Sequence, residues 1–423
     1  MKLTAHERSM ANGEQGEAVA AAMAVLIEYG EILGAERLVE TNNVSGANIF
    51  GPRHSKVLGE TDPQALFSRF SLNSDKTLDV PAVRAHSCQL IGPRDAKNWQ
   101  MQGLSEAENE EITKSEEYLA SIGVSLLSTC TPYQVGNNPI KGEHCAWMES
   151  SAVVYINSVL GARTNTEGRE STAAAMLTGR IPYAGLHLEE NRRATHEVRI
   201  ERPVDSTFDW NVLGYFLGAV LDDGIPVITG GELDPEPVDL KQLGAAAASS
   251  GDIEMYHIPG ITPEAATREQ ALGGRQPEEV IVFGQHEFDD TVRRLNATAS
   301  GDDIDFVMIG CPHASLSQVR EVAALLEGRT VHPSTRLWLF TPSALREVAV
   351  RSGYVDTIER AGGKVMADTC PAIAQFLPKG TRSFATDSAK QVHYLPAIMG
   401  VSGNFGTTRQ CVEAAVTGRW VTA

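Results

Sequence analysis

Three cysteines in the sequence share a local pattern that suits metal binding. Cys311 follows a short apolar run and a glycine, and apolar residues at helical spacing come after it. Cys370 ends a second short strand pattern and precedes a proline, and Cys130 ends a third, with its proline one position later. We expect Pro312 to occupy the first position of a helix, where free N–H groups and the helix dipole favour a Cys311 thiolate. Thiolates bind soft metals.

The same cysteines also suit a purely structural role, because free cysteines are among the most buried residue types. No CxxC pair marks a local metal site. In an open α/β sheet, however, ligands gather outside the carboxyl ends of the strands. Since all three cysteines follow strand patterns, we expect Cys130, Cys311 and Cys370 to converge on one centre. Cys411 lies inside a helical pattern and is left outside this group.

The composition excludes several classes of partner. The 423 residues carry a formal charge of −18, which disfavours nucleic acids and anionic membranes and leaves small molecules as substrates. No stretch approaches the roughly 18 to 20 apolar residues that span a bilayer, and the charged start has no signal-peptide core, so we expect a cytoplasmic protein. Six cysteines are too sparse for a disulfide framework.

The elements that must position these residues follow an α/β pattern. Residues Thr4 to Leu38 read as one long helix, Asn42 to Asn48 as a polar turn, and Leu78 to Cys88 as a strand leading into another turn. The Asn42 to Asn48 turn could bring backbone amides close to a ligand or be an ordinary connection. Strands and helices alternate after residue 303, which predicts parallel pairing. The Walker and Gly-x-Gly-x-x-Gly nucleotide motifs are absent.

The segment from Glu149 to Asn165 is the most informative after the cysteines. Helical spacing places Ser150 and Asn157 near one face, where small and polar residues allow close approach to a ligand. Glu149 could orient or titrate with a substrate, and Arg163 could bind a carboxylate or phosphate. A tightly packed helix whose Asn and Ser bond neighbouring backbone is an equal alternative. Lys390 could meet a substrate anion or be an ordinary exposed lysine.

Five motifs together resemble the large subunit or catalytic domain of aconitase X, over nearly the whole chain. They are Ile309 to Leu316, Ala367 to Cys370, Glu149 to Asn165, Cys130 to Tyr133 and Ser388 to Lys390. The resemblance implies an aconitase-like α/β fold with several parallel-sheet lobes around a central iron–sulfur site. We expect lobes of about residues 1–235 and 236–423, divided at a turn-rich break.

The resemblance also implies roles for particular residues. The cluster ligands it implies are Cys130, Cys311 and Cys370. The catalytic residues are Glu149, Ser150 and Lys390. The substrate-binding residues are Gly46, Ala47, Asn48, His86 and Ser87. Arg163 is a further candidate because of its positive charge. The cofactor is an iron–sulfur cluster of the 4Fe-4S type, or a 3Fe-4S or 2Fe-2S form, since three ligands can hold each of them.

The activity implied is that of a hydro-lyase, which removes water from a small hydroxy acid. We expect cis-3-hydroxy-L-proline as the substrate, with pyrroline-2-carboxylate as the product, and mevalonate 5-phosphate as the alternative. Fused family members carry a small swivelling domain, whereas this sequence ends at Ala423, so we expect a separate small subunit. A non-catalytic iron–sulfur or zinc scaffold is the remaining hypothesis.

Overall fold

The computed structural model describes residues 1–221 and 224–421, and it has the expected α/β architecture with parallel sheets. Residues 1–190 contain the strands β1 (Leu38–Glu40), β2 (Asn43–Ala47), β3 (His86–Gln89), β4 (Cys145–Trp147) and β5 (Arg180–Pro182). The helices of this region are α1 (Ala5–Ala11), α2 (Glu17–Ile32), α3 (Pro52–Leu58), α4 (Pro63–Ser71), α5 (Glu106–Ser121), α6 (Ser150–Tyr155) and α7 (Arg169–Thr178). A parallel sheet has the order β3-β2-β4, and β1 pairs antiparallel with β5.

The middle region is a smaller α/β unit. Its strands are β6 (His196–Ile200), β7 (Pro226–Thr229) and β8 (Val280–Phe283), which form a parallel sheet of order β7-β6-β8. Its helices are α8 (Thr207–Val220), α9 (Pro237–Ser250), α10 (Arg268–Ala271) and α11 (Gln285–Leu295). Helices α8 and α9 pack closely, because Gly214 and Gly218 of α8 have no side chain to separate the two backbones.

The carboxy-terminal region is built on a five-stranded parallel sheet of order β11-β10-β9-β12-β13. The strands are β9 (Phe306–Ile309), β10 (Arg336–Thr341), β11 (Lys364–Ala367), β12 (Ser383–Thr386) and β13 (Ser402–Phe405). The helices are α12 (Leu316–Leu326), α13 (Ser343–Arg351), α14 (Tyr354–Arg360), α15 (Pro371–Ala374), α16 (Ala389–Met399) and α17 (Thr408–Thr417). Every residue of β9 is buried, as a central strand covered on both faces requires.

Three expectations for the amino-terminal region are wrong. The predicted single helix from Thr4 to Leu38 is divided into α1 and α2, because the turn-forming segment Asn12 to Gly16 interrupts it, and Leu38 already begins β1. The predicted turn from Asn42 to Asn48 is mostly strand β2. That segment pairs with β3 on one side and β4 on the other, and this pairing overrides the local preference for a turn. Strand β3 starts at His86, later than expected.

The prediction of a strand, a turn and a helix around Cys311 is confirmed, but its detail is wrong. Helix α12 begins at Leu316 with Ser315 as its cap, so Pro312 is not the first helical residue. The turn needs Gly310, whose φ is 98° and where a Cβ would lie 2.2 Å from the Phe340 carbonyl oxygen. The proline after Cys370, in contrast, is the first residue of α15.

Candidate active site

Cys311 and Cys370 lie at the carboxyl ends of strands, whereas the strand predicted before Cys130 does not form and only an isolated bridge precedes that cysteine. Cys311 follows β9 and Cys370 follows β11 of the five-stranded sheet. Cys130 comes shortly after Ser125, which bridges to Cys88 of β3 in the amino-terminal sheet. All three side chains belong to one core cluster and are 6% or 7% exposed. The amino-terminal and carboxy-terminal regions therefore both contribute cysteines to a shared interior.

His313 joins the three cysteine turns. Its backbone N–H donates to the Sγ of Cys130 at 3.3 Å. Burial lowers the pKa of its ring to about 4, so the imidazole is neutral: Nε2 donates to the Thr369 carbonyl (3.0 Å) and Nδ1 accepts from the Thr129 hydroxyl (2.8 Å). Thr129 and Thr369 directly precede the other two cysteines, and His313 follows Cys311 by two positions. One residue thus holds all three turns together.

The thiols influence one another electrostatically. Burial raises the pKa of Cys130 well above its usual value, and negative charge on Glu149 and Cys311 raises it further. Burial and the charge of Cys311 raise the pKa of Cys370 to about 12. Burial also raises the pKa of Cys311, but the Lys390 charge opposes the shift. Three thiolates at this place therefore require a positively charged group to balance them.

An ion pair between Glu149 and Lys390 lies beside the cysteines. Glu149 follows β4 and caps α6, whereas Lys390 is in the first turn of α16, so the two regions meet at this contact. Burial alone would raise the pKa of Glu149, but the Lys390 charge and hydrogen bonds from Lys390 and Ser151 hold it below its usual value. Burial would lower the pKa of Lys390, yet Glu149 and Cys311 raise it overall. Lys390 also donates to the Ser150 hydroxyl at 3.4 Å.

The segment from Gly46 to Asn48 ends at the same side of the amino-terminal sheet. The Asn48 amide donates to the Gly46 carbonyl at 2.8 Å and lies 3.5 Å from the Sδ of Met148, the residue before Glu149. A Cβ at Gly46 would lie 2.5 Å from Thr172 of α7, so this glycine is needed for helix packing. Asn48 is therefore near the ion pair, while Ala47 is buried inside β2.

Three other residues that were predicted to bind the substrate lie away from the cysteines. His86 is exposed at the amino end of β3, in register with Asn43, and therefore at the opposite end of the sheet from Asn48. The buried Ser87 hydroxyl donates to the Ala85 carbonyl at 2.8 Å. Arg163 forms an ion pair with Glu189 and donates to the His187 carbonyl at 3.1 Å. The structure does not bring these side chains to the cysteines.

The donor set around the cysteines fits an iron–sulfur cluster. Cys130 and Cys311 accept N–H hydrogen bonds from His313 and from the Gln391 amide (3.0 Å), and bonds of this kind stabilise thiolate ligands. Three buried polar atoms near the site have no partner within the described ranges: Tyr133 Oη, Thr369 Oγ1 and Gln391 Oε1. These unpaired atoms are compatible with an additional group there.

The arrangement differs from that of a single-ion site. Among residues 1–221 and 224–421, no three His, Cys, Asp or Glu side chains are grouped to hold one metal ion. The cysteines of a cluster bind different iron atoms, so their sulfurs do not surround a single point. All six cysteines are free thiols.

Comparison with known proteins identifies the family. Profiles of the first, second and third domains of aconitase X match residues 1–190, 194–293 and 304–417 respectively. The chain belongs to the aconitase X family. The resemblance inferred from the motifs is confirmed, whereas the division into lobes near residue 235 stays a prediction.

Several members of the aconitase X family match most of the chain. The phosphomevalonate dehydratase large subunit of Methanothermobacter thermautotrophicus is 37% identical, over 93% of this chain and 94% of that protein. The cis-3-hydroxy-L-proline dehydratase of Pseudomonas aeruginosa is 34% identical, over 99% of this chain and 70% of that protein. The crystal structure of Thermococcus kodakaraensis aconitase X in its holo-form superposes with a TM-score of 0.83 at 32% identity, covering 98% of this chain and 100% of that one.

Sequence reasoning missed two residues of this aconitase X site. His313 lies within the Cys-Pro-His motif, but its ring contacts residues 184 and 56 positions away, which no local pattern reveals. Lys241 of α9 is 2% exposed and donates to the His313 carbonyl at 3.0 Å. Its signal was a single lysine between Leu240 and Leu243 in an apolar helix.

Proposed function

We propose that this chain is the large subunit of an iron–sulfur hydro-lyase that dehydrates cis-3-hydroxy-L-proline to an enamine, which tautomerises to pyrroline-2-carboxylate. The observation that carries the proposal is the Glu149–Lys390 ion pair beside three convergent buried cysteines. Membership of a family whose relatives are dehydratases supports the reaction class.

Cys130, Cys311 and Cys370 would hold the cluster, of the 4Fe-4S type or a 3Fe-4S or 2Fe-2S form. When bound, it would supply an iron without a protein ligand that acts as a Lewis acid towards the departing hydroxyl. The N–H donors on Cys130 and Cys311 would stabilise the thiolate ligands.

The ion pair suits a zwitterionic amino acid. Protonated Lys390, with the Ser150 hydroxyl beside it, would bind the substrate carboxylate. Ionised Glu149 would face the positively charged ring nitrogen. The neighbouring Cα must lose its proton, and Glu149 is our candidate base in this chain because it is an ionised carboxylate beside Lys390 and Ser150, which we assign to the substrate carboxylate. Glu149 would take that proton while the Cα–H electron pair forms the C2=C3 double bond and the C3–O bond breaks. The departing hydroxide would receive a proton from a second proton-transferring group, so that one water is lost.

We further propose that Asn48, next to Met148, completes the substrate pocket with the Gly46 and Ala47 backbone. The relatives named as large subunits support a separate small subunit, which could supply a second proton-transferring group. No helix in the described part of the chain is long and apolar enough to cross a bilayer. Free thiols are typical of reducing compartments, and we propose a cytoplasmic location.

The second candidate substrate is mevalonate 5-phosphate. It is favoured by the phosphomevalonate dehydratase large subunits, which match this chain over nearly their whole length. A phosphate would require several nearby cations. We assign Lys390 alone to the substrate anion, since Arg163 is engaged by Glu189. One cation suits a carboxylate better than a phosphate.

The test is to reconstitute the chain with its small subunit under anaerobic conditions and to assay loss of water from both compounds by mass spectrometry. We expect turnover of cis-3-hydroxy-L-proline. A higher kcat/KM for mevalonate 5-phosphate would establish the second candidate instead. If neither compound reacts while the cluster is intact, or if the protein is a colourless zinc protein, the dehydratase proposal fails and the non-catalytic scaffold is favoured.

A further inference from the structure

A lysine is buried behind the three cysteines. Lys241 belongs to α9 of the middle region and is 2% exposed. Its ammonium donates to the His313 carbonyl (3.0 Å) and to Oε1 of Gln318 (2.6 Å). Burying an ammonium group is costly, and both of these acceptors are uncharged. The negative charges that stabilise the buried ammonium must therefore lie beyond its two hydrogen-bond partners.

The charges that act on Lys241 include those of two cysteines. Burial lowers the pKa of Lys241 to about 8, but negative charge on Cys130, Asp387 and Cys311 opposes the shift. The other cation near the site, Lys390, forms a direct ion pair with Glu149. Lys390 also acts on Cys311, so Lys241 is a second cation whose charge balances the thiolates.

Lys241 also supports the connection between the cysteine turns. The residue whose carbonyl it binds, His313, donates to Cys130 and contacts Thr129 and Thr369 through its ring. Gln318, its other partner, accepts from the Ser315 N–H at the start of α12 (3.1 Å). Lys241 belongs to α9 of the middle region, and its hydrogen bonds thus hold the segment between Cys311 and α12 in place.

We propose that Lys241 is a positioning residue for the iron–sulfur centre, an inference that rests on the proposed function. Its hydrogen bonds hold the His313 turn, and its charge stabilises the more negative, reduced form of the cluster. Removing that charge would disfavour reduction and so lower the midpoint potential. A loosened His313 turn would also release iron faster.

The experiment compares wild type with Lys241→Met, which removes both charge and donors, and Lys241→Gln, which keeps a donor without the charge. The control is Lys97→Met, which removes an exposed lysine paired with Glu347. Each full-length protein is reconstituted anaerobically. Iron and sulfide content, the midpoint potential from a dithionite titration, and the rate of iron release to a chelator are measured. Circular dichroism of each protein verifies folding.

We expect both Lys241 variants to have lower midpoint potentials than wild type, and Lys241→Met to release iron about tenfold faster. The Lys97 control should match wild type. A wild-type potential in either Lys241 variant would overturn the inference while leaving the proposed function intact. A wild-type protein that takes up no cluster would overturn both.

Discussion

The backbone N–H of His313 donates to the sulfur of Cys130 across 183 residues of sequence. This contact joins the five-stranded sheet to the amino-terminal region at the point where the proposed cluster would be held. The His313 ring adds bonds to the residues before Cys130 and Cys370. The site is therefore an interface between parts of the chain, and the integrity of that interface should determine cofactor binding.

Replacing Cys311 with Ser should remove the cluster and abolish turnover, because a serine hydroxyl is a poor substitute for a thiolate ligand to iron. The measurement is visible absorbance and iron content after reconstitution. Cys411→Ala is the matched control, since Cys411 is also a buried free thiol but lies in α17. Full activity in Cys311→Ser would rule out the role proposed for this cysteine.

Replacing Glu149 with Gln should lower kcat by about 10²- to 10⁴-fold, the usual contribution of a general base. The amide cannot accept the Cα proton, although it can still contact Lys390. Steady-state kinetics with cis-3-hydroxy-L-proline provide the measurement. Glu347→Gln is the control, because it neutralises the acidic partner of an exposed ion pair. An unchanged kcat would assign the base to the small subunit.

Replacing Lys390 with Met should mainly raise KM, by an amount equivalent to about 2 kcal/mol of lost charged hydrogen bonding. Glu149 would then lack its buried partner, so part of the effect would also fall on kcat. Lys97→Met controls for loss of positive charge. The idea that Lys390 binds the carboxylate would be abandoned if KM stayed at the wild-type value.

Replacing His313 with Ala should destabilise the chain by about 1–3 kcal/mol, because the Thr369 carbonyl and the Thr129 hydroxyl would lose partners in a buried site. Urea denaturation of the cluster-free protein measures the change directly. His286→Ala serves as control, since His286 is on the exposed face of α11. Equal stability of the two variants would show that the His313 ring does not hold the turns.

The stability of the chain should decrease as pH rises from about 4.5 to 7 through the titration of Glu167. Burial, opposed by the Ser171 hydroxyl and reinforced by Glu254, raises the pKa of Glu167 from 4.5 to about 7. Across that window the folded chain retains a proton that the unfolded chain has lost. The free energy of unfolding therefore falls as pH rises, and the loss is complete above pH 7.

Glu167→Gln removes this penalty and should stabilise the chain at pH 8 by up to about 3 kcal/mol relative to its effect at pH 4. Urea denaturation at the two pH values is the measurement. Glu170→Gln, an exposed neighbour on α7, is the control. A Glu167→Gln effect that is the same at both pH values would contradict the assigned shift.

Local patterns predicted the elements whose signal is strong and periodic. The succession of strands and helices after residue 303 is confirmed, because burial and hydrogen bonding agree with local preference there. The segment Asn42 to Asn48 was misread, since its strand conformation depends on neighbours supplied by distant parts of the chain.

The sequence by itself determined the family, the chemical nature of the cysteines and the position of Cys311 and Cys370 after strands, because these depend on residue type and local order. Only the tertiary structure decided which residues share a space. It paired Glu149 with Lys390, directed Arg163 to Glu189, and placed Lys241 behind His313. The reason is physical: such contacts are set by the packing of whole regions, and no short pattern encodes a hydrogen bond between residues that are 26, 72 or 241 positions apart.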